Sequence, residues 1–118
     1  MKFTFKKEER LSSKKQIEEL FTKGSYFYLY PFKVIYHPKS VASPPHQILI
    51  SVSARTFKRA VDRNVIKRRI RESYRLQKHL LGNEKNWVIA YIYTPKEILA
   101  SDIIHEKMLL ALQKLKSL

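Results

Sequence analysis

Basic side chains are concentrated between Arg55 and Arg75, where nine of the chain's 24 lysines and arginines stand against two acids, Asp62 and Glu72. Nine positive charges minus two negative ones give +7, half of the formal net charge of +14. Ordinary salt bridges along a helix cannot account for this composition, because too few acids are present. The stretch therefore favours binding of a polyanion over a solvated helix without a partner.

The same stretch predicts an α-helix from Lys58 to about Leu81, ended by the Gly and Asn at 82–83. On a helix, Ile66 and Ile70 would form an apolar stripe with Tyr74, and the cations would lie on the neighbouring arc. We predict that this arc, with the residues leading into it, binds the polyanion. The candidate residues are Arg55, Lys58, Arg59, Arg63, Asn64, Lys67, Arg68, Arg71 and Arg75.

Aromatic residues form a second set, with six of them in the twelve residues 26–37. Aromatic rings beside cations are typical of proteins that bind single-stranded nucleic acid, because bases stack on the rings. Packing within a sheet is the alternative for any single ring. The sequence predicts a groove lined by Phe21, Phe32, Val34 and Tyr36.

Signals for catalysis by the protein itself are poor. The four histidines are scattered, and two distant glycines exclude a glycine-rich phosphate loop. Asp102 and Glu106 share a helix face, but acids near a helix start are explained by the helix dipole. No cysteine is present, which excludes disulfides and thiolate metal sites. We predict no catalytic residue and leave metal binding open.

Length predicts one domain over residues 1–118, with residues 1–12 as a basic arm that is either anchored or flexible. A hydrophobic content of 44% argues against disorder, and the charge points to nucleic acid or an anionic membrane surface. The first ten residues, MKFTFKKEER, are not a signal peptide, and no apolar run could span a membrane. The cytoplasm is the expected location, with no membrane partner.

The chain predicts an α+β fold in the order αββαβα. Its elements are a helix capped by Ser13 and ended by Gly24, a strand from Phe32, an antiparallel hairpin partner at 47–53, the basic helix, a central strand at 87–93 and a helix capped by Ser101. Helices would cover one face of a three- or four-stranded sheet, leaving the other partly open. A βαβ crossover is normally right-handed.

The run KRAVDRNVIKRRIRESYR at 58–75, preceded by Ser-Val-Ser at 51–53, closely resembles the signature of the bacterial ribonuclease P protein subunit. That family typically reads Arg-Asn-Arg-x-Lys-Arg-x-x-Arg-Glu, and the flanking elements also follow its order along nearly the whole chain. Two departures stand out: Val65 replaces an arginine and Ala54 replaces a lysine. Arg55 would then act alone, and Arg69 is a candidate for a compensating cation.

The resemblance implies a two-layer sandwich like ribosomal protein S5 domain 2, with a left-handed crossover. It implies that the helix binds the catalytic RNA of ribonuclease P, one protein per RNA, and that the groove takes the 5′ leader of precursor tRNA. The RNA would carry the active site and its Mg²⁺, and the protein alone would be inactive with no cofactor of its own. A ribosomal or other structural RNA-binding protein is the main alternative; a double-stranded DNA binder or a stand-alone nuclease fits less well.

Overall fold

A computed structural model describes residues 7–39, 45–82 and 85–118 of the chain. Short 3-10 helices lie at Lys7–Glu9 and Lys78–Leu81. In chain order, the other elements are α1 (Lys14–Lys23), β1 (Ser25–Leu29), β2 (Phe32–Pro38), β3 (Gln47–Val52), α2 (Ala60–Gln77), β4 (Trp87–Tyr93) and α3 (Ser101–Lys116). The α+β class is confirmed, and the sheet has four strands, within the predicted three or four and one more than the order αββαβα contains. Residues 1–6 of the predicted arm lie outside the described residues.

One four-stranded sheet, in the order β1-β2-β4-β3, forms the centre of the fold. Strand β2 pairs antiparallel with β1 and with β4, and β3 runs parallel to β4. The predicted hairpin between β2 and β3 is wrong, because β4 lies between them. Strand β4 is apolar on both faces and almost wholly buried, which suits a central position and confirms that prediction. The handedness of the β3-α2-β4 crossover stays a prediction.

The additional strand β1 comes from the aromatic segment before Pro31. The register pairs Leu29 with Phe32, so Tyr30 and Pro31 form a tight turn between β1 and β2. The Pro31 carbonyl accepts a hydrogen bond from the Thr94 backbone N–H at 3.0 Å, which ties the turn to the end of β4. Because proline has no N–H, a turn is the natural place for it, and the predicted start of a strand at Phe32 is confirmed.

Helices cover both faces of the sheet, whereas the sequence predicted cover on one. Helices α2 and α3 pack on the face that carries Phe32 and Val34, and α1 packs on the opposite face, where Leu20 meets Ile35. With ten residues, α1 is about 15 Å long and covers only part of its face. The uncovered part of that face is the open surface of the sheet.

The helix ends and the core stripe of α3 follow the sequence closely. Ser13 Oγ accepts a hydrogen bond from the Gln16 backbone N–H, and the Gly24 N–H donates to the Leu20 carbonyl at 2.9 Å. Helix α3 begins at Ser101, but its N-cap is Ala100, so Ser101 is not the cap that the sequence predicted. The predicted stripe of α3 is fully buried, as Ile104, Met108, Ala111, Leu112 and Leu115.

Candidate nucleic-acid interface

Helix α2 is held against the protein body by a narrow buried stripe. Ile66 and Ile70 are fully buried and Tyr74 is 1% exposed, as predicted. Gln77 continues the stripe, with its Nε2 donating a hydrogen bond to the His105 carbonyl of α3 at 2.9 Å. Because these residues span most of α2, the rotation of the helix about its axis is fixed, and its opposite side faces solvent.

The basic arc of α2, defined as Asn64, Lys67, Arg68, Arg71 and Arg75, lies beside the buried stripe. Asn64 and Arg68 are exposed, while the other three cations are partly buried. Long cationic side chains of this kind bury their stems and keep the charged head near solvent. The arc spans roughly 100° of the helix circumference. It therefore presents four cations and an amide as one strip.

Three further predicted cations, Arg55, Lys58 and Arg59, are exposed in the loop that leads into α2. Arg59 is the N-cap residue, and its Nε lies 3.9 Å from Asp62 Oδ2 in an exposed pair that contributes little to stability. The N-terminus of a helix carries a partial positive charge, to which these three cations add. Three cations and the helix dipole thus both add positive potential at the start of α2.

Two of the predicted cations also have partners within the protein. Arg63 Nη1 donates hydrogen bonds to the carbonyls of Phe57 and Lys58, at 2.7 and 3.0 Å, and so shapes the loop before α2. Arg75 contacts Glu72 through two hydrogen bonds of 2.8 and 3.2 Å, which lower the pKa of the Glu72 carboxyl. Replacing Arg63 would consequently disturb the fold as well as the surface.

Arg69, the candidate to compensate for the arginine that is missing at Val65, has a partner within the protein. Its Nη1 donates a 2.7 Å hydrogen bond to the Leu99 carbonyl, on the side of α2 that faces α3. A guanidinium engaged there lies away from the basic arc and ties α2 to the segment before α3. Compensation of Val65 by Arg69 stays a prediction, and the basic arc is defined by its five residues without Arg69.

A notch at the edge of the sheet links α2 to the open sheet face. This edge notch, a cavity of about 260 Å³, is lined by Arg10, Ser12, Leu49, Lys67 and Arg71, among others. Among the described residues neither Lys67 nor Arg71 forms an ion pair, and the buried Arg71 Nε has no hydrogen-bond partner. The sequence did not indicate that Arg10 would line the same cavity as these two, because its position depends on the bridge between Arg10 and Ile48 of β3.

The predicted aromatic groove is not brought together. Phe32 and Val34 are buried at 1% and 0% exposure, and Tyr36 packs against the same core, under α2 and α3. Phe21 is 48% exposed on α1, on the other side of the sheet. Since neighbouring strand residues point to opposite faces, the residues of β2 that lie on the α1 face are Lys33, Ile35 and His37.

A different groove lies between α1 and the open sheet surface. Ile17 of α1, Leu49 of β3 and Ile92 of β4 are half-buried and pack against the cluster beneath α1. Phe21 lies one turn beyond Ile17 on the same side of the helix, and the register places Lys33 beside Ile92. We call these five residues the sheet groove. Ile17, Leu49, Ile92 and Phe21 make it mostly apolar and Lys33 adds a cation, while Leu49 also lines the edge notch.

A buried histidine stabilises the loops at the far end of the sheet. His46 Nδ1 accepts a hydrogen bond from the Trp87 backbone N–H at 3.0 Å, and its Nε2 lies 2.8 Å from the Gly82 carbonyl. The first contact needs an unprotonated Nδ1, so the neutral ring donates from Nε2. Burial lowers the pKa of His46, and the charge of Lys39 lowers it further.

This arrangement predicts a pH-dependent stability. The pKa of His46 in the folded protein lies below the ordinary value of 6.5, so the unfolded chain takes up the proton first. The contribution of neutral His46 to the free energy of unfolding is complete above pH 6.5. It is lost as the pH falls through the pKa of His46 in the folded protein. We expect His46→Asn, whose Oδ1 can accept the Trp87 N–H, to flatten the free energy of unfolding over this window in urea titrations. An unaltered pH profile would contradict the assignment; His79→Asn, at an exposed position, is the control.

Metal and membrane sites are the remaining possibilities for this surface. Within residues 7–39, 45–82 and 85–118, no group of three or more His, Cys, Asp or Glu side chains is placed to hold a metal ion. No helix in the described part of the chain is long and apolar enough to cross a membrane.

Comparison with solved structures finds this fold in proteins of one kind. The RNase P protein from Thermotoga maritima superposes with a TM-score of 0.75 at 26% sequence identity, covering 90% of this chain and 96% of that one. An RNase P protein from Staphylococcus aureus has the same fold, with a TM-score of 0.71 at 23% identity over 91% of this chain and 96% of its own.

Sequence relatives agree with the structural ones. A ribonuclease P protein component from Porphyromonas gingivalis is 42% identical over 82 residues, 69% of this chain and 60% of the relative. One from Nitrosococcus oceani is 35% identical over 80 residues, 68% of this chain and 66% of the relative. The matched part thus spans about two thirds or less of these curated relatives. The family model described as Ribonuclease P matches residues 5–116. The chain belongs to the ribonuclease P protein family.

Proposed function

We propose that this protein is the protein subunit of ribonuclease P, which removes the 5′ leader of precursor tRNA by endonucleolytic cleavage. The basic arc of α2 binds the catalytic RNA, and the sheet groove binds the single-stranded leader. One protein serves one catalytic RNA. The family membership, the charge of +14 and the two adjoining surfaces support this assignment.

The observation that carries the proposal is the edge notch. Lys67 and Arg71 belong to the basic arc, and the same two side chains line the cavity that opens beside Leu49 of the sheet groove. A surface for structured RNA and a surface for an unpaired strand thus meet at shared cations. Two RNA segments held side by side repel each other through their phosphates, and these cations lie where that repulsion is greatest.

The protein's contribution is binding and orientation. Cations of the basic arc neutralise phosphates and release counterions, and the aliphatic and aromatic side chains of the sheet groove contact unpaired bases. We assign the hydrolytic chemistry, with its Mg²⁺, to the catalytic RNA. Because protein cations replace part of the counterion screening, the complex should need less Mg²⁺ than the RNA alone.

Reconstitution tests the proposal directly. Cleavage of precursor tRNA at limiting Mg²⁺ is compared for the catalytic RNA alone, the protein alone and the two together. We expect cleavage to be much faster with both components, and the protein alone to be inactive. No acceleration by the protein would overturn the proposal and favour a structural RNA-binding protein of another assembly.

The leader-binding part is tested in the same assay with Phe21→Ala. Removing this ring should weaken binding of leader-bearing substrate by about 1 to 3 kcal/mol, the usual contribution of one base stacked on an aromatic ring. Mature tRNA, which has no leader, should bind the variant and the wild type equally. Equal losses for the two RNAs would exclude the sheet groove as the leader site.

A further inference from the structure

Strand β1 exposes a pair of tyrosines that the core does not use. Tyr26 is 59% exposed and Tyr28 is 65% exposed, and their ring centroids lie 5.9 Å apart in an edge-to-face arrangement. The ammonium of Lys33 on β2 lies over both rings, 4.8 Å from the centroid of Tyr26 and 5.6 Å from that of Tyr28. We call these three residues the tyrosine platform.

The platform belongs to the same side of the sheet as the sheet groove. The register pairs Tyr28 with Lys33, Lys33 with Ile92, and Ile92 with Ser51 of β3. Paired residues point to the same face, so these four side chains form one row across all four strands. The floor of the sheet groove therefore continues without a break to the outer edge of β1.

The position of the rings argues against a purely structural role. β1 is an edge strand, and neither tyrosine belongs to the two core clusters among the described residues. A pair of large exposed rings that packs against no core residue is typical of an interaction site. Their partner must tolerate the Lys33 cation and the strongly positive chain, which favours an anionic, ring-bearing ligand over an apolar one.

We infer that the tyrosine platform is an additional subsite for unpaired nucleobases of the RNA leader, in which bases stack on Tyr26 and Tyr28 and Lys33 binds the adjoining phosphate. This inference rests on the function proposed above. The contact of an exposed cation with a ring is weaker than base stacking on it, so the exchange of the Lys33 ammonium for a base is favourable. When a base displaces the Lys33 ammonium from the rings, the ammonium remains within reach of the phosphate backbone of the leader.

The order of contacts along the leader follows from the sheet. The basic arc, which binds the RNA that cleaves, lies at the β3 edge, and the platform lies at the opposite edge, three strand spacings or about 14 Å away. Nucleotides next to the cleavage site thus occupy the β3 side. The tyrosine platform binds nucleotides farther toward the 5′ end, and only a leader long enough to cross the sheet reaches it.

A series of precursor tRNAs with leaders of increasing length tests this inference in the reconstituted enzyme. For the wild type, affinity should rise as the leader lengthens past the width of the sheet. The double variant Tyr26→Ala, Tyr28→Ala should lose that rise, about tenfold or more in affinity, and bind short-leader substrate normally. The double Phe variant, which keeps both rings, should behave as wild type, as should Tyr30→Ala, which removes an exposed ring outside the tyrosine platform.

Each outcome decides one question. Equal length dependence in the wild type and the double Ala variant would overturn the platform while leaving the leader-binding function intact. No response of the wild type to any leader would instead overturn the proposed function itself. If the double Ala variant changes only the association state in sedimentation experiments, β1 pairs with a second copy of the chain, and the nucleobase assignment is wrong.

Discussion

Replacing Lys67 and Arg71 together by alanine should weaken binding of the catalytic RNA by more than a hundredfold. Each cation that bonds a phosphate contributes about 1.5 to 3 kcal/mol, and two such losses exceed the roughly 2.7 kcal/mol that correspond to a factor of one hundred. Neither side chain forms an ion pair among the described residues. Their removal should therefore change binding more than folding.

Salt dependence separates this effect from a general loss of charge. Two fewer phosphate contacts should reduce the slope of log affinity against log salt by about 1.4 to 1.8. Lys107→Ala with Lys116→Ala removes the same charge from α3, outside the basic arc, and should leave the slope nearly unchanged. Equal slopes for the two double variants would show that charge alone matters and that the basic arc is not the interface.

The basic arc could be predicted from sequence because its determinants are local. Ile66, Ile70 and Tyr74 repeat at four-residue spacing, so they fix the buried side of α2, and the neighbouring positions follow from helix geometry. The same holds for the stripe of α3 and for the end of α1 at Gly24. In each case the pattern lies within one element and needs no knowledge of the others.

Strand order could not be predicted in this way. β2 and β3 are adjacent in sequence, which favours a hairpin, but β4 arrives from beyond α2 and separates them. What decides the order is the burial of β4 on both faces, a property of the assembled sheet. The sequence did indicate that β4 would be central. That indication conflicted with the expectation that strands adjacent in sequence, here β2 and β3, pair as a hairpin.

The predicted aromatic groove is absent from the described structure for a related reason. Period-two alternation correctly separated Phe32, Val34 and Tyr36 from Lys33 and its neighbours, but it does not say which set faces α1. The sequence analysis predicted that the large rings line the ligand groove, whereas the structure places them beneath α2 and α3. A cation in an aromatic segment was the better sign of the exposed face, because a charged side chain is seldom buried there.

A buried ion pair also escaped prediction, although it joins distant parts of the chain. Glu9, with a side chain 7% exposed, contacts Lys78 through a 2.5 Å bond between Oε1 and Nζ; the Lys78 side chain is 21% exposed. Sixty-nine residues separate the two. The pair ties the segment before α1, which carries Arg10 into the edge notch, to the end of α2.

We expect Glu9→Ala to lower the free energy of unfolding by about 2 to 4 kcal/mol, because the partly buried Lys78 ammonium loses its carboxylate partner. Urea titration measures the loss, and the double variant with Lys78→Met should recover part of it, since no charge is then buried alone. Strictly additive losses would mean that Glu9 and Lys78 stabilise the fold separately. The single variant Glu9→Ala should also weaken RNA binding more than Lys78→Met does. The reason is that the neighbouring Arg10 loses the Glu9–Lys78 ion pair, which helps to hold it near Lys67 and Arg71.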